Sequence, residues 1–376
     1  MKSSHGGNIF KYATEHNIHI DSIIDCSANI NPLGPSQKGL EAMKNAVSLI
    51  SHYPDPENCD FINTISSVYG VEKEFIIPGN GASELLYAVC QLNGFTGCFV
   101  PAPGFSEYRL AAEAAGLPIR DTFYRLREDQ ENKPYFEVPY LALQTFAAKL
   151  KGQDGRIIVF LGNPNNPDGT LLDESYIHQL ATMLDDANSI LVIDESFIDF
   201  IGSNGVKTNS HSLRHLIKDH SNIIIIHSLT KFYAVPGLRL AVAFTSNRFK
   251  DELAKHIPTW SVNTLAQAYG VAALQDEDYI VNTQQLISEE KKYVLQRLQS
   301  ISEVTVYAPT VNYVLVHIDS SKHSVHQLSQ YLMDHSIFIR NCEAYTGLGQ
   351  NWFRLAIKSR DINRLVLDKI DAYFSK

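Results

Sequence analysis

An amine, a carboxylate, an amide and a guanidinium, each placed where an apolar run stops, are the residues of this chain best suited to covalent chemistry. Lys231 closes NIIIIHSLTK, just after the hydroxyls of Ser228 and Thr230. An amine in a partly dry crevice beside other cations has a lowered pKa and forms imines readily. Asp194 falls near the end of SILVIDES. A carboxylate at the end of a buried strand needs a cation or a donor. A protonated pyridine nitrogen would serve, and the pair would keep such a ring an electron sink. Arg239, eight residues beyond the lysine, opens RLAVAF and could fork onto a phosphate dianion. PGNGASE follows Phe75 to Ile77 and opens a helix at about Ala82, where free backbone N–H groups reached over glycines suit a phosphate. GNPNNPDGT makes a rigid turn that can aim Asn166 into a crevice. Taken singly, each string also fits something plainer: a glycine turn with Ser83 in a first helical turn, a tight loop, a helix cap or buried ion pair, a solvated lysine.

The elements that must position these residues repeat a pattern. FIIPGN, CFVPAPG, RIIVFLGNPNN, SILVIDES and NIIIIHSLTK are short β-branched runs, each closed by a polar turn. Between most of them the apolar spacing is helical, as in Ser83 to Gln91 and Glu107 to Ala115. Continuous apolar strands alternating with helices predict a mostly parallel sheet covered on both faces. In such sheets the ligand crevice lies outside the carboxyl ends of the strands, where the unusual polar residues stand. After Pro258 a charged helical stretch runs from about Asp276 to Leu298, followed by strands VNYVLVHI and FRLAI. That end predicts a smaller α+β domain. The expected division is a large domain over 48–258, and a small one made of 1–47 with 259–376.

The chain has 376 residues and a net charge of -9, with no basic stripe, which argues against nucleic acid. Cys26, Cys59, Cys90, Cys98 and Cys342 form no CxxC pair and read as reduced thiols of a cytoplasmic protein. MKSSHGGNIF has no apolar segment of a secretory signal, and the longest apolar runs are too short to span a bilayer. No metal site is expected.

Order changes the weight of the strings. A glycine phosphate turn, an amide turn, a strand-end acid, Ser-x-Thr-Lys and a late arginine succeed one another at sheet-like intervals. In this the sequence resembles the fold-type I pyridoxal-phosphate enzymes, close to the histidinol-phosphate aminotransferase branch, over nearly its whole length. The resemblance implies an aspartate-aminotransferase-like α/β fold and pyridoxal 5'-phosphate as cofactor. It implies that Ala82, Ser83, Ser228, Thr230 and Arg239 hold the cofactor phosphate and that Phe105, in PGFSEY, stacks on the ring. Asn166 would contact the phenolic oxygen, Asp194 the ring nitrogen and Lys231 the aldehyde carbon. Tyr53, in HYPDPEN, matches a tyrosine that reaches the phosphate of the neighbouring subunit, which implies a homodimer.

Which bond breaks at Cα depends on which one the protein holds perpendicular to the ring. HGGNI, DCSANINPLGP, PAPGFSEYRLA and KFYAVPGLRLA resemble the threonine-phosphate decarboxylases of the cobalamin pathway. Phe197, in DESF, stands where many transaminases of this fold carry a tyrosine. Arg340 and Arg354, on either side of AYTGLGQNW, match two substrate arginines of the decarboxylases. Two arginines suit a substrate with two anionic ends: Arg354 for the α-carboxylate, and Arg340, with His5, Gly6 and Asn31, for a distal phosphate. The implied reaction is decarboxylation of threonine phosphate or serine phosphate. An aminotransferase acting on histidinol phosphate is the alternative. A ligand-sensing domain on this fold would carry a DNA-binding segment ahead of it, whereas here the fold begins almost at residue one.

Overall fold

The computed structural model describes residues 7, 9–150, 155–202, 205–207 and 209–375. Seven strands form the larger sheet: β1 (Ile76–Gly79), β2 (Phe95–Ala102), β3 (Ile119–Phe123), β4 (Arg156–Gly162), β5 (Ile190–Asp194), β6 (Ile223–Ser228) and β7 (Ala241–Thr245), in the spatial order β1-β7-β6-β5-β4-β2-β3. β7 runs against both of its neighbours, and every other pairing is parallel. The mostly parallel sheet is therefore present, with one reversed strand inside it.

Both faces of the sheet's central strands are dry, while the edge strand β3 is partly exposed. In β6, Ile223 and Ile225 pack into one apolar cluster while Ile224 and Ile226 pack into the other. This is why the runs read as continuously apolar rather than alternating. The strand expected to begin at Arg239 begins at Ala241, and all five of its residues are buried. Arg239 itself lies just before it, at φ 58.

The reversal of β7 matters for the site. Ala241 at its start pairs with Ser228 on one side and Gly79 on the other. The start of β7 therefore shares an edge with the ends of β1 and β6, and Arg239 arrives beside the residues that leave those strands. Two helices follow strand ends on this edge, α1 (Ala82–Cys90) after β1 and α2 (Ser106–Ala114) after β2.

A second, antiparallel sheet of β8 (Val304–Tyr307), β9 (Tyr313–Ile318), β10 (Arg340–Asn341) and β11 (Trp352–Ala356) runs in the order β8-β9-β11-β10. The helices α3 (Thr264–Leu274) and α4 (Glu277–Gln299) precede it. Near the amino end, Ile24–Asp25 pairs in parallel with Ile337–Phe338, so the N-terminal segment lies against the C-terminal one. No helix among the described residues is long and apolar enough to cross a membrane.

Candidate active site

At the carboxyl edge of the larger sheet one cavity is lined by Ala82, Ser83, Phe105, Asn166, Asp194, Ser228, Thr230, Lys231 and Arg239, together with Tyr108, Pro164, Ser196 and Phe197. A second opens beside it and shares Ser83, Phe105, Asn166, Phe197, Lys231 and Arg239, adding Ser27, Ala28, Asn29, Glu107, Arg340, Tyr345 and Arg354. Eleven of the candidate site residues named from the sequence thus line one continuous site: the nine first named, with Arg340 and Arg354 at its mouth.

Lys231 follows β6 by a short turn, and its Nζ donates to Thr230 Oγ1 at 3.0 Å. Burial and the Arg239 guanidinium push its pKa down to about 8, with Arg354 adding to the effect and Asp194 opposing it. A large share of such an amine is neutral near pH 8 and able to attack a carbonyl carbon.

Asp194 ends β5 and is buried. Tyr108 Oη donates to its Oδ2 at 2.9 Å, and the Ser196 backbone N–H donates to its Oδ1 at 2.9 Å. Burial raises its pKa, while Ser196, Tyr108 and the charge of Lys231 pull it down. Its donors are a phenol, a hydroxyl and an amide, so the carboxylate remains available to a cationic ring nitrogen in the cavity.

The phosphate end is built from the start of α1. Gly81 caps this helix at φ 83 without any side-chain capping bond, so no side chain competes for the first N–H groups. A Cβ built at Gly81 would strike the Arg239 guanidinium, which lies over the helix start. Ser228 Oγ and Thr230 Oγ1 are 2.8 Å apart on the neighbouring strand end. Backbone N–H groups, two hydroxyls and an arginine form a donor set for a dianion.

At the mouth, Arg354 is buried. Its Nη2 donates to the Ser27 carbonyl at 2.9 Å, its Nη1 donates to Asn166 Oδ1, and its Nε has no partner. Tyr345 Oη also donates to Asn166 Oδ1, at 3.2 Å, which leaves the Asn166 Nδ2 group as the donor of that amide. Arg340 is half-buried over the Tyr345 ring, 5.4 Å from its centroid, and its Nε is likewise unpartnered.

Three expectations fall elsewhere. Asn31 does not reach the cavity: it is buried, and its Nδ2 is bonded to Phe232 O, Tyr279 Oη and Thr283 Oγ1. The amide that lines the cavity in its place is Asn29, whose buried Oδ1 has no partner. Tyr53 stands away from its own chain's site, 77% exposed and stacked on Trp260 with ring centroids 4.3 Å apart. His5 and Gly6 lie outside the described residues, but Gly7 donates its N–H to Ser27 Oγ at 2.8 Å, beside the cavity.

Reading by strand ends misses Tyr108, Ser196, Asn29 and Tyr345. Ser196 could have been found two residues after Asp194, where a side-chain oxygen commonly takes the backbone N–H. Tyr108 lies one helical turn beyond Phe105. Tyr345 carries no local signal, because only folding brings it to Asn166.

The sequence profile described as aminotransferase class I and II matches residues 21–370. The chain belongs to that family. It is 32% identical to the threonine-phosphate decarboxylase of Salmonella typhimurium over 98% of this chain and 95% of that one. It is also 32% identical to the adenosylcobalamin biosynthesis bifunctional protein CobDQ of Leptospira interrogans, over 98% of this chain but only 41% of that longer protein. Among solved structures, a histidinol-phosphate aminotransferase from Clostridium acetobutylicum superposes with a TM-score of 0.83 at 26% identity, covering 94% of this chain and 99% of that one. The family's members are pyridoxal-phosphate enzymes, and the residues present fit that group: an amine for its aldehyde, a strand-end carboxylate for its ring nitrogen, and a donor cradle for its phosphate.

Proposed function

We propose that this chain is a pyridoxal-phosphate-dependent carboxy-lyase. It would remove the α-carboxylate of an O-phospho-L-amino acid, threonine phosphate or serine phosphate, and release carbon dioxide and the amino-alcohol phosphate used in cobalamin biosynthesis. The observation that carries this reading is the pair of arginines at one mouth, each with an unpartnered Nε, beside a cavity that already holds a separate phosphate cradle. One cradle serves the cofactor phosphate, and the two arginines serve the two anionic ends of the substrate.

When bound, pyridoxal phosphate supplies an electron sink for the bonding pair left at Cα. The chain's own residues do the rest. Asp194 would hold the proton on the ring nitrogen, Phe105 would cover a ring face, and Asn166 would offer Nδ2 to the phenolic oxygen. Phe197 presents no hydroxyl on that wall. Ala82, Ser83, Ser228, Thr230 and Arg239 take the cofactor phosphate. Arg354 binds the α-carboxylate, while Arg340 and Asn29, with the HGGN terminus, bind the distal phosphate. Lys231 would hold the cofactor aldehyde, and its amine could supply the proton that replaces the lost carboxylate at Cα.

The assembly in this reading is a cytoplasmic homodimer, in which Tyr53 reaches the cofactor phosphate of the neighbouring subunit. Its support is an exposed aromatic stack of Tyr53 on Trp260, close in sequence to the exposed Val47, Leu49 and Ile50. The deciding test incubates the purified protein with each phospho-amino acid and no added keto acid. Release of carbon dioxide with formation of the amine phosphate is expected. Dominant amine transfer to 2-oxoglutarate would replace the decarboxylase reading with that of an aminotransferase.

A further inference from the structure

Immediately after Lys231 the backbone turns, and three successive carbonyls point away from the sheet toward other parts of the chain. The Lys231 carbonyl accepts the Asn31 N–H at 3.0 Å. The Phe232 carbonyl accepts Asn31 Nδ2 at 2.7 Å and lies 2.9 Å from Tyr279 Oη, whose one proton it shares with the Gly34 carbonyl at 2.8 Å. The Tyr233 carbonyl accepts Tyr269 Oη at 2.8 Å. Asn31 is the common member. Its Nδ2 also meets Thr283 Oγ1 at 2.8 Å, and its Oδ1 accepts the Leu33 N–H at 3.0 Å. Every polar group of this buried side chain is therefore engaged, and none faces the substrate cavity.

We infer that Asn31 is a positioning residue for Lys231: it ties the turn carrying the reactive amine to the N-terminal segment and to α4, so that the seat of the amine is set from outside the larger sheet. The inference rests on the reading of Lys231 as the amine that takes the cofactor aldehyde. The physical case is one of unmet acceptors. A turn that ends a strand leaves carbonyls without ladder partners, and in a buried place each must find a donor. Here the backbone N–H groups of Asn31 and Ala234 serve the Lys231 carbonyl, while the Asn31 amide and two tyrosine hydroxyls serve the next two; Asn31, Tyr269 and Tyr279 all come from segments far from Lys231 in sequence. Removing Asn31's amide would leave the Phe232 carbonyl to Tyr279 alone and open space beside the turn, letting the amine drift. Displacements of about 1 Å remote from the chemistry can lower turnover by about 100-fold.

The test compares Asn31→Ala and Tyr279→Phe with wild type in the holoenzyme. Thermal midpoint verifies folding, and kcat and KM are measured separately for phosphothreonine, with the pH titration of the visible band of the lysine-bound cofactor. We expect kcat to fall by about 10- to 100-fold in Asn31→Ala, KM to change by less than about threefold, and the titration midpoint of the band to move. Tyr279→Phe, which keeps the ring and removes one donor to the same carbonyl, should show the same split more weakly. Should Asn31→Ala fail to fold, Tyr279→Phe decides alone. A rise in KM confined to phosphorylated substrates, with kcat and the band midpoint unmoved, would return Asn31 to the substrate and overturn the inference. Folded variants with unaltered kcat and midpoint would overturn it as well. Failure of the lysine reading is seen separately, as a visible band that survives in Lys231→Ala.

Discussion

Arg340 on β10 and Arg354 on β11 are register partners, directly opposite one another across an antiparallel pair. Like charges in this relation repel, and an arrangement of this kind is destabilising by a few tenths of a kcal/mol up to about 1 kcal/mol unless an anion lies between them. Tyr345 partly serves both, its ring beneath Arg340 and its hydroxyl 3.4 Å from Arg354 Nη1. Neither arginine makes a salt bridge with a carboxylate among the described residues. Two cations held together without a counter-charge are poised for a dianionic ligand.

From this it follows that Arg340→Ala should weaken phosphothreonine or phosphoserine by about one to two decades in kcat/KM, since a charge-assisted bond to phosphate contributes ~1.5–3 kcal/mol. The unphosphorylated amino acid should be affected far less. Arg354→Ala should weaken both, because both carry the α-carboxylate. Unliganded Arg340→Ala should be no less stable than wild type. Equal losses on phosphorylated and plain substrates would remove the distal-phosphate role from Arg340.

Lys231→Ala should abolish the visible absorbance of the lysine-bound cofactor. In cofactor-free wild type, capture of added pyridoxal phosphate needs the neutral amine. Its pKa is pushed down to about 8 by burial and Arg239, so the capture rate should rise with pH and level off above about 8 rather than above the usual lysine range. Asp194 favours the charged amine, so Asp194→Asn should move that midpoint lower still. Stopped-flow absorbance across pH checks both statements.

Asp194→Asn should keep some cofactor and lose nearly all turnover, because the ring nitrogen would no longer be held protonated. Tyr108→Phe is the milder probe. The Tyr108 hydroxyl stabilises the ionised carboxylate, so its loss should raise the Asp194 pKa beyond its already elevated value. Turnover requires the ionised form, and the acid limb of the kcat profile should therefore move to higher pH. An acid limb that stays in place would separate Tyr108 from the reaction.

Gly81→Ala puts a Cβ into the Arg239 guanidinium at a positive φ that alanine tolerates poorly. Arg239 must move off the start of α1, and cofactor affinity should fall by about tenfold or more, the worth of one charge-assisted bond. Global stability should fall by only about 1 kcal/mol, the usual scale for such a backbone effect. Equilibrium dialysis of pyridoxal phosphate with thermal melts of the cofactor-free protein distinguishes the two.

The amino-acid sequence by itself determined the parallel sheet and most of the lining of the candidate site. Lys231, Asp194, Asn166, Ala82 and Ser83 were legible because each follows an apolar run within a few covalent links, and a strand end fixes where the next few residues can go. Arg239 was legible as a residue but not in its setting, since the reversal of β7 that carries it to the same edge is a matter of strand pairing. Tertiary structure alone decided between Asn29 and Asn31. The two differ little in chemistry and stand two positions apart in SANINP. One is drawn inward by Phe232, Tyr279 and Thr283, while the other is left at the cavity, its backbone carbonyl held by Asn312. The same holds for Tyr108 on Asp194 and for Tyr345 on Asn166. Local pattern sets an element's existence and its ends, but the direction of a loop side chain is settled by donors and acceptors hundreds of residues away, which must all be satisfied once water is excluded.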